Sequence, residues 1–144
     1  MRIYKRNIKK ILNELAEEYN VKVFYSNSMN GFDGMSRYWK RSISLNCSLN
    51  ASTMLATFFH EIGHIHCWDN SIWQSYHIDK SPSRLNNNEK SKFIRTALKA
   101  ERWVEKWAKK EMKKHFPHLK YVSSGYSSKE EKDHFLKYVK NYVK

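Results

Sequence analysis

The chain has 144 residues, of which 40% are apolar and 15% aromatic, with five Trp and nine Tyr but only four Gly and two Pro. That is enough for one folded domain with its own hydrophobic core, and the scarcity of Gly and Pro excludes a turn-rich all-β architecture. The formal net charge of +13 is concentrated from Met1 to Asn50 and from Lys99 to Lys144, so the two ends favour nucleic acid or an acidic protein partner, while serving solubility equally well.

No run approaches the ~18 apolar residues of a membrane span, and the stretch from Met1 to Lys10 lacks the apolar core of a signal peptide. A cytoplasmic chain with no membrane contact is expected. Cys47 and Cys67 are too few for a disulfide framework and are expected as thiols, Cys67 packed against its surroundings.

In chain order, Ile8, Ile11, Leu12, Leu15 and Tyr19 recur at helical spacing and predict an amphipathic helix from about Lys5 to Tyr19, with Asn20 as its stop. Val21 to Tyr25 reads as a short strand, and Ser26 to Gly34 is turn-forming. Met35 to Leu45, with Tyr38, Trp39, Ile43 and Leu45, reads as one longer strand or a hairpin. Ser48 or Asn50 can then cap a helix that runs to about Cys67.

That helix carries His60-Glu61-Ile62-Gly63-His64, a match to H-E-x-x-H. Residues four apart lie on one helical face one turn apart, so two imidazoles can hold one metal ion while the adjacent Glu acts on the attacking water. At ~100° per residue, Thr53, Ala56, Thr57, Gly63 and His64 fall on the side of His60, and Met54, Leu55, Phe58, Ile62 and Ile65 fall opposite. One face is therefore expected to be buried. The other is expected to line a cleft, its small residues leaving room for metal, water and substrate.

From Trp68 to Asn87 no periodicity is sustained and a loop is expected, in which Trp68, Trp73, Tyr76 and His77 either meet substrate or pack the loop down. From Asn88, as a cap, to about His115 runs the longest helical pattern. Ile94, Ala97, Leu98, Val104, Ala108 and Met112 share a face with Glu101 and Glu105. Carboxylates on an apolar face need positive compensation. A metal ion and a metal-bound imidazole would supply it, with Glu101 as third ligand and Glu105 accepting a histidine N–H. Alternatively the helix is rotated so that both carboxylates reach solvent or pair with lysines. Pro117 closes the helix, Leu119 to Tyr126 is irregular or extended, and Ser128 to Glu131 forms a capping box that opens a basic helix over about 128–143. The expected fold is a small α+β domain spanning 1–144, mainly helical, with a short antiparallel or mixed sheet beside the H-E-x-x-H helix.

This order of elements resembles the ImmA/IrrE family of zinc metallopeptidases, small zincins in which a helix with H-E-x-G-H is followed by a helix with a pattern like E-x-x-A-(D/N)-x-(F/W)-A. Here the second pattern reads from Glu101 to Ala108. Glu101 matches the ligand Glu, Glu105 stands where Asp or Asn is usual, Trp107 and Ala108 match the closing pair, and Trp103 and Val104 replace the usual Glu-Ala. The likeness covers about Tyr4 to Met112. It implies one catalytic zinc, an intracellular setting and often a phage or mobile-element context, and members of the family cut DNA-bound repressors. SprT-like proteases share H-E-x-x-H and a basic surface, but usually take a third histidine as ligand, and no histidine stands at a comparable place in the Glu101 helix.

The expected activity is zinc-dependent hydrolysis of peptide bonds in an intracellular protein, a DNA-bound regulator among the candidates. His60, His64 and Glu101 bind the metal and Glu61 is the general base. Tyr121, Tyr126, His77 and His118 are candidates to stabilise the transition-state oxyanion. The alternative is a non-catalytic binding protein on the same scaffold, docking nucleic acid or an acidic protein through its basic ends.

Overall fold

The computed structural model describes residues 3–27, 29, 33–72, 86–121 and 133. Its elements, in order, are α1 (Ile8–Glu18), β1 (Lys22–Ser26), β2 (Gly34–Arg37), a 3-10 turn (Tyr38–Lys40), β3 (Ser42–Asn46), α2 (Ala51–Asp69) and α3 (Asn87–His115). The fold is α+β, with a small mixed sheet. The stretch from Met35 to Leu45 is therefore a hairpin broken by a 3-10 turn, not one strand. Arg41 turns the corner in the left-handed region, at φ 48°.

The strands lie in the order β1-β3-β2, with β1 parallel and β2 antiparallel to β3. Ile43 and Leu45 point from β3 into the core, where they join Ile8, Leu12 and Leu15 of α1 and Phe58, Phe59 and Ile62 of α2. Arg41 ties three ends together: its guanidinium donates to the carbonyls of Tyr19 and Asn20 and meets Asp69 at 2.6 Å. Lys5 closes a second corner by donating to the carbonyls of Cys47 and Leu49 just ahead of α2.

Asn50 caps α2, accepting from the backbone N–H of Thr53 at 2.9 Å. Asn86, not Asn88, caps α3, in a reciprocal capping box with Glu89, because the Asn that has a carboxylate three residues on can satisfy two terminal N–H groups at once. The helix stops at His115 and Phe116 because the residue before a proline is disfavoured in helical conformation. Across the α1–α3 contact the Tyr19 hydroxyl donates to Glu111 at 2.9 Å and lies 2.8 Å from Nε2 of His115.

The small residues of α2 serve a purpose other than the one their placement suggests. Ala56, Thr57 and Gly63 are buried, so the histidine side of the helix is not an open trough. A Cβ on Gly63 would lie 2.8 Å from Cγ1 of Val104 and 3.3 Å from the Val104 carbonyl, and one on Gly34 would lie 2.6 Å from Cγ2 of Thr57. These are the places where α3 and β2 approach α2 closely. Between Met54 and Ile65 the helix is packed on both flanks, and within that stretch only His60 and His64 remain partly open.

The expected terminal helix over about 128–143 and most of the expected loop from Trp68 to Asn87, with Trp73 and Tyr76, lie outside the described residues. Among the described residues no helix is long and apolar enough to cross a membrane.

Replacing Gly63 by Ala pushes a methyl group into Val104 and its backbone. A loss of about 1–3 kcal/mol is expected, the usual cost of overpacking, measured by urea unfolding. An unchanged midpoint would show that α2 and α3 are not held at this spacing.

Candidate metal centre

Glu101 projects from α3 onto the two imidazoles of α2. Its Oε2 lies 2.9 Å from Nε2 of His60 and its Oε1 3.2 Å from Nε2 of His64. One turn further on, Oε2 of Glu105 stands 2.6 Å from Nδ1 of His60. His60 is thus gripped from both sides of its ring by carboxylates of one helix, and the ring is only 14% exposed. The rotated alternative, with both carboxylates in solvent, is not what the chain adopts.

His60, His64 and Glu101 offer one donor atom each, and these atoms all lie within 4.8 Å of one another. The separations of 2.9 and 3.2 Å are close to the ~3.4 Å edge of a tetrahedral zinc shell. Two imidazoles and a carboxylate are a donor set that zinc accepts. When Nδ1–H of His60 is given to Glu105, its Nε2 lone pair is left facing Glu101 and His64, which is the tautomer a metal ligand requires. The residues present therefore fit the metal.

Glu61 extends from the same helix toward the edge strand. Its side chain packs on Gly34 of β2, and the hydroxyl of Ser36 hydrogen-bonds its carboxylate. Burial pushes its carboxyl above the ordinary value, while the imidazoles of His64 and His60 pull the other way. A carboxylate kept more basic than usual beside two histidines is suited to accepting a proton. Glu101 goes in the opposite direction. Burial would raise it, but the charge of His64 and the hydrogen bonds of both histidines hold it far below the usual carboxylate range.

Of the candidates to stabilise an oxyanion, Tyr121 alone among the described residues is brought to this group. Its hydroxyl is buried, and its pKa is raised by that burial, then by the neighbouring Glu105, Glu61 and Glu101. That places the Tyr121 hydroxyl among the carboxylates of the site. His118 is exposed in the turns after α3, outside the group. Tyr126 and His77 lie outside the described residues. The thiol of Cys67 is buried, which raises its pKa, and it is no part of the donor set.

Three features of the site are not apparent from motif spacing. Ser36 and Gly34 meet Glu61 only because β2 runs along α2. The ring of His66 stacks on Trp107, with centroids 4.7 Å apart, and lies parallel to Trp103 at 6.1 Å. That stack gives Trp103 a packing role, and Val104 is fully buried against Gly63. The i, i+4 spacing of Trp103 and Trp107 was the only sequence signal for it.

No protein-family model matches the chain, and no match was found among curated proteins or solved structures.

Removing Glu101 should strip the site: wild type is expected to carry about one zinc per chain and Glu101→Ala clearly less, by plasma mass spectrometry. Glu105→Ala should retain the site but weaken zinc roughly 10- to 100-fold, the usual effect of losing a carboxylate behind a liganding histidine, read by competition with a chromogenic chelator. Equal zinc in all three proteins would place the metal elsewhere.

The histidines also make a pH prediction. Burial lowers the pKa of both, but the hydrogen bonds that His60 donates to Glu101 and Glu105, and the charge of Glu101 on His64, more than offset it, so both end above 6.5. In metal-free protein their stabilisation is complete below pH 6.5, the unfolded value, and is lost as pH rises through the raised folded values. Zinc competes with the same protons, so its binding strengthens as pH rises. Melting temperature of chelated protein should fall above pH 6.5 and the increment from added zinc should grow; a pH-independent increment would exclude these imidazoles as ligands.

Proposed function

We propose that the chain is a zinc-dependent peptidase that hydrolyses peptide bonds of an intracellular protein, a DNA-bound regulator being one candidate. The observation that carries this reading is the juxtaposition of a buried, basic Glu61 with the His60, His64 and Glu101 donor set. A site that only holds a metal for structure has no use for a carboxylate kept apart from the donors and hydrogen-bonded to a neighbouring strand. The likeness to ImmA/IrrE peptidases in motif order supports the same conclusion.

His60, His64 and Glu101 would hold the zinc, which supplies a Lewis acid that polarises the scissile carbonyl and acidifies water. Glu61 takes the proton of the attacking water and passes it to the leaving amine. Glu105 keeps His60 in the tautomer and orientation the site needs, and Tyr121 packs behind Glu105. Ser36 orients Glu61 and lowers its proton affinity slightly against the effect of burial. The edge strand β2, whose outer side has no strand partner among the described residues, lies where an extended peptide can add a strand next to Glu61.

The decisive comparison is Glu61→Gln, which preserves size and hydrogen bonding and removes the base. Incubated with a proteome-derived peptide library and followed by mass spectrometry, zinc-loaded wild type should generate new termini. The variant should hold the same zinc and cleave at least about 100-fold more slowly. Equal cleavage by both proteins would remove Glu61 from the chemistry, and a wild type that takes up no zinc would sink the peptidase reading.

A further inference from the structure

The sheet has a face that the metal centre does not use. Strand alternation sends Ile43 and Leu45 inward onto the helices and their neighbours outward, and the register joins Phe24 to Ser44 and Ser44 to Met35, then Lys22 to Ser42 and Ser42 to Arg37. On this outward face Phe24 is 46% and Met35 42% exposed; Trp39, in the 3-10 turn that follows β2, is 60% exposed, its ring edge-to-face on Tyr38 with centroids 5.0 Å apart. Among the described residues no helix packs over it. Isolated exposed apolar side chains are ordinary; a set of them on one face, interleaved with cations, is not explained by chance exposure.

The cations are Lys22 and Arg37, one from each outer strand, and Lys40 in the 3-10 turn. The ammonium of Lys22 lies 5.6 Å from the centre of the Phe24 ring. Lys22 and Lys40 also line a shallow depression together with Arg41, opposed by the single carboxylate of Glu17. The chain carries a net charge of +13, so the face belongs to a strongly basic molecule.

We propose that this outward sheet face binds single-stranded nucleic acid, stacking bases on Phe24 and Trp39 and holding phosphates with Lys22, Arg37 and Lys40. Exposed aromatic rings beside cations are the combination that binds unpaired nucleotides, because every base has a π-face and every linkage a negative charge. A duplex keeps its bases stacked on each other and offers these rings nothing to stack on. Lys22 and Lys40 favour a polyanion, lysine being depleted from protein–protein interfaces, whereas Phe24, Met35, Trp39 and Arg37 suit either kind of partner, so the poly-glutamate competitor decides between them. Bases and phosphates are common to DNA and RNA, and the face distinguishes neither. The proposal does not depend on the peptidase reading, since α2 lies against the opposite side of the sheet.

The test uses the full chain with fluorescently labelled oligonucleotides of ~15 nucleotides, oligo-dT and oligo-U in separate titrations, an unlabelled duplex and a poly-glutamate peptide as competitors, all followed by anisotropy. Wild type should bind at least one of the single strands, with the duplex and the peptide competing poorly, and the preferred strand identifies the source. Phe24→Ala and Trp39→Ala should each weaken binding roughly 5- to 100-fold. Lys22→Gln with Arg37→Gln should flatten the dependence of log affinity on log salt by about 1.4. Zinc content and circular dichroism should not change. If Phe24→Ala perturbs the sheet, Trp39→Ala, which lies outside the strands, carries the same test. No binding by wild type, competition by poly-glutamate as strong as by single strands, or variants that bind like wild type would each overturn the proposal, the last assigning any affinity to the charged ends alone.

Discussion

His60 is held between two carboxylates that belong to a different helix, and everything at the site depends on how closely that helix can come. Gly63 sets the distance. With no side chain there, Val104 and Trp107 of α3 rest directly on the α2 backbone, and Glu101 and Glu105, one turn apart on α3, reach both nitrogens of one imidazole. The stack of His66 on Trp107 secures the same crossing one turn further along. An i, i+4 pair of carboxylates on one helix and an i, i+4 pair of histidines on the other meet as two matched rows.

Glu61, Glu101 and Glu105 gathered in a half-buried space would repel one another and lose hydration without compensation. The two imidazoles compensate them, and in doing so divide their roles. Glu101, with both histidines on it, is held ionised and suits a metal. Glu61 faces a strand instead, and burial dominates, so its proton affinity rises. Environment, not residue type, separates ligand from base. The same logic places Glu105 behind His60, where it sets the tautomer without occupying the donor position.

The sheet contributes differently on its two sides. Inward, β2 brings Gly34 and Ser36 to Thr57 and Glu61, so the strand that borders the site also tunes its base. Outward, the same strand carries Met35 and Arg37 and leads into Trp39. Alternation along four residues thus gives one edge strand two unrelated surfaces, one against the Glu61 carboxylate and one carrying Met35 and Arg37 outward.

Much of this was readable from the chain alone, because it is local. Helical spacing located α1, α2 and α3 to within a few residues, the H-E-x-x-H repeat put His60 and His64 on one face, and two carboxylates on an otherwise apolar face of α3 announced that something positive must lie opposite. Each inference rests on interactions within about one helical turn, where sequence separation and spatial separation are the same thing. At α3 the cap is Asn86, where the sequence reading places Asn88, because Glu89 stands three positions on from Asn86, also a local rule. Tertiary structure decided the rest. Only packing could show that the small residues of α2 admit neighbours instead of making a cleft, that β1 runs parallel to β3, that Ser36 touches Glu61, and that Trp103 and Trp107 flank His66. Those contacts join residues tens of positions apart, and their partners are chosen by shape and burial, which no periodicity in a single chain encodes.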